Sequence, residues 1–196
     1  MNDLPTFESM LAGFGETTEL GLRILKQNTQ PRSFLRGELL VEPGDVCKKL
    51  FIIQKGIVRG YISSGQKDTT TWLTAEGEMV TAIRSFILQV PTEEKVQALE
   101  DCEVLEIDYD DLQRLYIEFI HLNIIGRKIL EQYYCDAEER AYIIRLVNAP
   151  MKYEYFLKTK GHLINRVPLK FIASYLGMTT ETLSRIRTKF SRKKYP

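Results

Sequence analysis

The period of the apolar positions changes twice along the chain. Over residues 6–28, Phe7, Met10, Leu11 and Phe14, then Leu20, Leu22, Ile24 and Leu25, recur at helical spacing with little β-character. From 33 to 107 the pattern becomes short apolar runs closed by turn residues. Leu39-Leu40-Val41 meets Pro43-Gly44-Asp45, and Leu50-Phe51-Ile52-Ile53 meets Lys55-Gly56. Ile57 to Ile62 meets Ser63-Ser64-Gly65, Thr69 to Leu73 meets Glu76-Gly77-Glu78, and Val96–Leu99 and Val104–Ile107 follow. Short strands punctuated by glycine turns predict an antiparallel roll or barrel.

Helical periodicity returns over 110–147, after an acidic start (Asp108, Asp110, Asp111) suited to a helix N-terminus. The pattern predicts one continuous helix over 117–147, roughly 46 Å long at 1.5 Å per residue. That exceeds what one small barrel can cover. Two apolar stripes run along it: Leu122, Ile125, Ile129 and Tyr133 in one, and Leu130, Tyr134, Ala137, Ala141 and Ile144 in the other. The second has the 4-3-4-3 spacing of a coiled-coil seam. One stripe on the barrel and the other on a second copy is the simplest account, making the chain a homodimer, with the residues of both stripes as its candidate dimerisation set. Asn148-Ala149-Pro150 breaks the helix, and a further helix from Met151 to Lys158 ends at Gly161.

Residues 167–187 have the grammar of a helix-turn-helix. Pro168 suits the first turn of a helix. Ile172, Ala173 and Leu176 form an inward face, Ala173 being small where a second helix crosses. Gly177 permits the left-handed residue that ends the first helix, and Thr179 caps the second with Glu181 in its first turn. Leu183, Ile186 and Phe190 then form a buried stripe. Thr180, Glu181, Ser184, Arg185 and Thr188 face outward, with Thr179, Arg187, Lys189, Arg192, Lys193 and Lys194 close by. Acidic and guanidinium groups at the start of a helix suit base edges, and the basic residues that follow suit phosphates.

Charge sharpens this picture. The formal net charge of +1 conceals 16 basic against 24 acidic residues over 1–147, a balance of −8. Residues 148–196 carry 11 basic against 2 acidic, a balance of +9. The basic part is drawn to polyphosphate and the acidic part repelled by it, so double-stranded DNA is the expected partner. Cys47, Cys102 and Cys135 lie far apart with no C-x-x-C pair, which predicts free thiols and no metal site from sequence-local ligands. The first residues lack a secretory signal and no apolar run reaches the length of a membrane span, so a cytoplasmic protein is expected. No phosphate-binding loop, H-E-x-x-H motif or nucleophile–base pair stands out, and His121 and His162 fall on different elements. No catalytic residue, metal or cofactor is therefore assigned.

The order of these parts resembles the bacterial Crp/Fnr regulators over essentially the whole chain. The most specific match is Ile172-Ala173-x-x-Leu176-Gly177-x-Thr179-x-Glu181-Thr182-x-Ser184-Arg185; Pro43-Gly44-Asp45, Leu50 to Gly56 and Gly77-Glu78 also look like the family's roll. The resemblance implies an α+β fold. It comprises a cyclic-nucleotide-binding-like antiparallel β-roll over 1–116, a dimerisation helix over 117–147 and a helix-turn-helix domain over 148–196. It also implies a homodimer whose recognition helices enter successive major grooves, and RNA polymerase as a further candidate partner. A β-wing often follows the recognition helix in the family, and the sequence to Pro196 is expected to lack it. The implied effector pocket comprises Gly77, Glu78, Met79, Arg84 and Thr92. Members that bind cyclic AMP carry an Arg-Ser/Thr-Ala run some ten residues after the Gly-Glu pair. The corresponding stretch here is Pro91-Thr92-Glu93-Glu94, whose carboxylates repel a phosphate, so the small-molecule effector is unknown and cyclic AMP is not expected. The alternative reading is a nucleotide-responsive regulatory subunit whose terminal helices bind protein instead of DNA.

Overall fold

A computed structural model describes residues 19–194. Helix α1 spans Glu19–Gln27, so Leu20 to Leu25 of the expected first helix are helical; Phe7 to Phe14 lie outside the described residues. Eight strands follow: β1 Gln30–Phe34, β2 Leu39–Val41, β3 Lys49–Lys55, β4 Val58–Ser64, β5 Lys67–Thr74, β6 Met79–Val80, β7 Lys95–Ala98 and β8 Cys102–Asp108. They form two antiparallel four-stranded sheets, in the orders β1-β8-β3-β6 and β2-β7-β4-β5. Pro31 is tolerated because β1 is an edge strand, where a missing N–H breaks no ladder. Phe51, Ile53, Val58, Val96, Ala98 and Val104 fill the space between the sheets. A short helix, α2 (Ile83–Leu88), lies between β6 and β7.

The long helix differs from expectation. Helix α3 (Tyr109–Glu118) ends at Phe119, whose φ of −128° and ψ of 90° are extended, and α4 begins again at Ile120 and runs to Arg145. Phe119 leaves the helix because its side chain packs with Leu112, Leu115 and Leu122 in a cluster under the roll. The break is tied at both ends. The Phe119 N–H donates to the Leu115 carbonyl at 2.9 Å, and the Leu122 N–H to the Phe119 carbonyl at 2.9 Å. At 26 residues, α4 is about 39 Å long. Its first stripe, expected with the second among the dimerisation residues, packs instead on the roll of its own chain. Leu122 is buried, Ile125 and Ile129 lie on Ile52, and the Tyr133 hydroxyl bonds both the N–H and the carbonyl of Met79 at 2.6 Å. The second stripe faces out, with Leu130, Tyr134 and Ile144 more than half exposed.

Helix α5 (Ala149–Lys160), a 3-10 turn (Gly161–Leu163), α6 (Leu169–Tyr175) and α7 (Thr180–Lys194) complete the chain. Pro168 stands one position before α6 and does not enter its first turn; its ψ of 135° is extended, and its carbonyl accepts from the Phe171 N–H. Gly161 opens the 3-10 turn in right-handed conformation instead of closing α5 through a left-handed residue. The apolar residues of these helices do not form a separate core. Phe156, Leu163, Ile172, Leu176 and Leu183 are continuous with Ile57, Leu73 and Leu99 of the roll.

Candidate nucleic-acid interface and effector cavity

The turn between α6 and α7 is set by backbone hydrogen bonds. Gly177 has φ of +64°, the left-handed region that favours glycine. The Met178 N–H donates to the Ala173 carbonyl at 3.0 Å and the Gly177 N–H to the Ser174 carbonyl at 3.1 Å, which together satisfy the open end of α6. Thr179 caps α7: its Oγ1 accepts the Thr182 N–H at 3.2 Å. Leu183 and Ile186 are buried, and Phe190 meets Tyr153 edge-on with centroids 5.4 Å apart.

With that face buried, Glu181, Ser184, Arg185, Thr188 and Lys189 are exposed together with Thr179. The Glu181 carboxyl lies below its usual range because its own backbone N–H and the Thr179 hydroxyl bond it, so it is an acceptor at neutral pH. Thr188 spends its hydroxyl on the Ser184 carbonyl at 3.2 Å. Thr180 and Arg187 are half-buried, and Arg187 lies beside the Tyr153 hydroxyl, away from the outward group. Arg192 and Lys193 continue α7. A one-turn patch of acceptor, hydroxyl and guanidinium, ahead of basic residues on the same helix, is able to read base edges in a groove.

Three polar contacts hold α6 and the turn before it against the roll. The Arg59 guanidinium is sandwiched between Tyr61 and Phe171, 3.9 Å and 3.8 Å from the ring centroids, with the residue 4% exposed. The Ser174 Oγ accepts the Thr70 N–H at 2.9 Å and donates to the Asp68 carbonyl at 3.3 Å. Arg166 reaches Glu76 and Glu100, with nearest approaches of 2.6 Å to each. Burial opposes the charge on Glu76, but hydrogen bonds from Arg166 and from the backbone outweigh it and hold the carboxyl below its usual range.

Within the roll, the residues expected at the effector pocket separate into two groups. Gly77, Glu78 and Met79 line a cavity of about 300 Å³ with Tyr133, Arg140 and Lys160. Arg84 and Thr92 do not line it. Arg84 is exposed on α2, and Thr92 is buried in a turn, where its Oγ1 accepts the Glu94 N–H at 3.0 Å. Glu94 points inward and accepts from the Thr71 hydroxyl at 2.7 Å and the Trp72 indole at 2.9 Å. Burial pushes its carboxyl above the usual range, against those bonds and the Arg140 charge. The Trp72 ring lies so close to Gly60 that a Cβ there would sit 2.1 Å from it, so glycine is required opposite the indole. A larger, mainly apolar groove of about 570 Å³ runs along α4 from Leu25 and Phe86 past Leu122 and Ile125 to Leu130 and Tyr134. Arg140 went unassigned in the sequence, although a signal was present. The inner stripe of α4 continues beyond Tyr133 at the same spacing through Asp136, Arg140 and Ile143, placing a guanidinium on an otherwise inward-facing row.

Residues 31–119 match the cyclic nucleotide-binding domain model. The transcriptional activator FnrA of Stutzerimonas stutzeri is 25% identical over 173 residues, 82% of this chain and 70% of that protein. The fumarate and nitrate reduction regulatory protein of Yersinia pestis is 25% identical over 169 residues, 80% of this chain and 67% of its own length. The chain is similar, over about four fifths of its length, to transcription regulators of the Crp/Fnr type. Among solved structures, FixK2 of Bradyrhizobium japonicum superposes with a TM-score of 0.73 at 16% identity, covering 85% of this chain and 86% of that one. The regulator CLP of Xanthomonas campestris superposes with a TM-score of 0.67 at 18% identity over 93% of both chains. The chain is thus an α+β transcription regulator with a cyclic-nucleotide-binding-like roll. Among its described residues, no helix is long and apolar enough to cross a membrane.

Proposed function

We propose that this Crp/Fnr-type regulator is a cytoplasmic homodimer that binds a two-fold symmetric DNA site through α7 and answers to an effector other than cyclic AMP. The observation that carries the reading is the exposed group Glu181, Ser184 and Arg185 on a capped helix whose opposite face is buried. Arg185 donates two parallel hydrogen bonds to a guanine, Glu181 accepts from a cytosine amine, and Ser184 serves either. Lys189, Arg192 and Lys193, with Thr180 and Thr188 at the margin, take phosphates; Arg187 steadies the helix through Tyr153. Residues 1–116 are the sensing part, 117–147 the dimerisation helix and 148–196 the DNA-binding part. Two copies join along Leu130, Tyr134, Ala137, Ala141 and Ile144, and RNA polymerase is a further partner of the DNA-bound dimer. Glu94 and Trp72, bonded to one another inside the roll, leave a cyclic phosphate facing a carboxylate with no guanidinium of the roll to hold it. Selection of binding sites from random DNA tests the reading. A logo with two half-sites about 34 Å apart is expected, and no logo at all removes the DNA-binding role.

A further inference from the structure

The cavity of about 300 Å³ lies where three parts of the chain meet: the Gly77–Met79 turn of the roll, the inner side of α4, and the α5 and α6 ends at Lys160 and Tyr175. Its charged groups are unequally committed. Glu78 accepts from the Thr74 hydroxyl at 3.0 Å, Asp136 from Gln132 at 3.0 Å, and Glu139 from the Tyr155 hydroxyl at 2.9 Å. Arg140 and Lys160, by contrast, make no hydrogen bond and no ion pair within 4 Å among the described residues. The half-buried Arg140 guanidinium has lost hydration and is offset only by the longer-range attraction of Glu94, with no hydrogen bond in return. The wall also carries Tyr175, whose hydroxyl is pushed up to about 12 by burial and stays a donor at neutral pH. Met79, Ile129 and Ile143 supply an apolar floor. The cavity shares Glu78, Met79, Arg140 and Lys160 with the larger groove along α4 and opens into it; its own volume is that of about ten water molecules, room for a small metabolite.

We propose that this junction binds a small hydroxylated molecule carrying one phosphate or carboxylate group, with the anion on Arg140 and Lys160 and the hydroxyls toward Glu78 and Asp136. The proposal rests on reading the cavity as the effector site of the regulator. It moves the anion-holding groups from the roll, where Arg84 is turned to solvent, to α4 and α5. A ligand held there touches the roll, the long helix and the DNA-binding helices at once, so its binding energy favours one arrangement of the three.

The test uses the full chain and inorganic phosphate as the probe, with chloride at equal ionic strength as the control. Phosphate titrated to about 20 mM should move the Arg140 side-chain resonance and the Gly77 and Met79 amides saturably, and chloride should not. Glucose 6-phosphate and gluconate should bind at least tenfold more tightly than phosphate, and glucose should not bind. Arg140→Gln and Lys160→Met should each weaken the amide shifts about tenfold or more, Arg140→Lys should restore part of them, and Arg84→Gln should leave them unchanged. Three results overturn the proposal: no saturable shift with phosphate; amide shifts that survive Arg140→Gln in a protein of unchanged circular dichroism; or an Arg140 resonance that follows protein concentration alone, which assigns the guanidinium to the contact between copies. DNA site selection run in parallel separates the two readings. Loss of the anion effects with an intact logo sinks only the anion site. Intact anion effects without any logo sink the regulator reading and leave the site standing.

Discussion

Helices α4 and α7 are both buried on one side and open on the other, and their open sides carry opposite chemistry. On α7 the outward residues are Glu181, Ser184, Arg185, Thr188 and Lys189, all polar. On α4 they include Leu130, Tyr134 and Ile144, exposed by 54%, 69% and 60%. A polar face with acceptors and a guanidinium is stable in water and waits for a partner rich in hydrogen-bonding groups. An apolar stripe at seam spacing is costly in water and calls for a surface like itself. The contrast is what the proposed function rests on, a polar face offered to DNA and an apolar face offered to a second copy.

The largest effect should come from placing a charge in the apolar face. Ala137→Asp puts a carboxylate on each side of the seam and is expected to weaken association by about 3 kcal/mol or more, roughly a hundredfold. Sedimentation reads this directly, and a wild type that stays monomeric at tens of micromolar, on the order of ordinary interface affinities, dissolves the contrast.

Neighbouring residues of α7 sharpen it next. Leu183 is fully buried, so Leu183→Ala should cost about 2–5 kcal/mol in chemical denaturation. Ser184→Ala, one position along, should change stability by no more than about 0.5 kcal/mol. Equal losses would mean that α7 is not two-faced. Arg185→Ala should leave folding intact while costing about 1–3 kcal/mol of DNA affinity and relaxing the preference at one base pair per half-site. Identical logos from wild type and variant would reduce Arg185 to a backbone contact.

The smallest expected effects separate two carboxylates of the roll by their pH dependence. Glu76 lies below its usual value of 4.5. Its stabilisation is therefore complete above that value and lost as pH falls through the folded value. Glu94 lies above 4.5, so its folded state prefers the proton: stability is complete below 4.5 and declines as pH rises through the folded value. Urea midpoints between about pH 3 and pH 7 should accordingly lose acid-side dependence in Glu76→Gln and neutral-side dependence in Glu94→Gln. Changes of the same sign in both variants would contradict the difference in their surroundings.

What was legible in the sequence was what local chemistry decides. Gly177 and Thr179 announced the turn because a left-handed residue and a capping hydroxyl are demands of neighbouring backbone atoms. The stripes of α4 were legible because their spacing is a property of one helix. The break at Phe119 was not: phenylalanine fits a helical row, and only its packing against Leu112 and Leu122 draws it out. Glu94 looked like a stray acid at a phosphate site until the structure brought Trp72 and Thr71 to it from another strand. Arg59, an unremarkable strand residue, is sandwiched by a ring more than a hundred positions away. Each of these depends on contacts between segments distant in sequence, which periodicity does not encode.

The continuity of Ile172, Leu163 and Leu183 with Ile57, Leu73 and Leu99 has a consequence for how the molecule comes apart and for how it is engineered. Heated, the chain should melt in a single calorimetric transition, since neither part keeps a closed interior once the other is gone. A chimera that transplants residues 148–196 onto another sensor would carry half of a core with it. Unless the recipient supplies small and aliphatic side chains where Ile57, Leu73 and Ala75 stand, the graft would begin its life as a molten, protease-sensitive appendage.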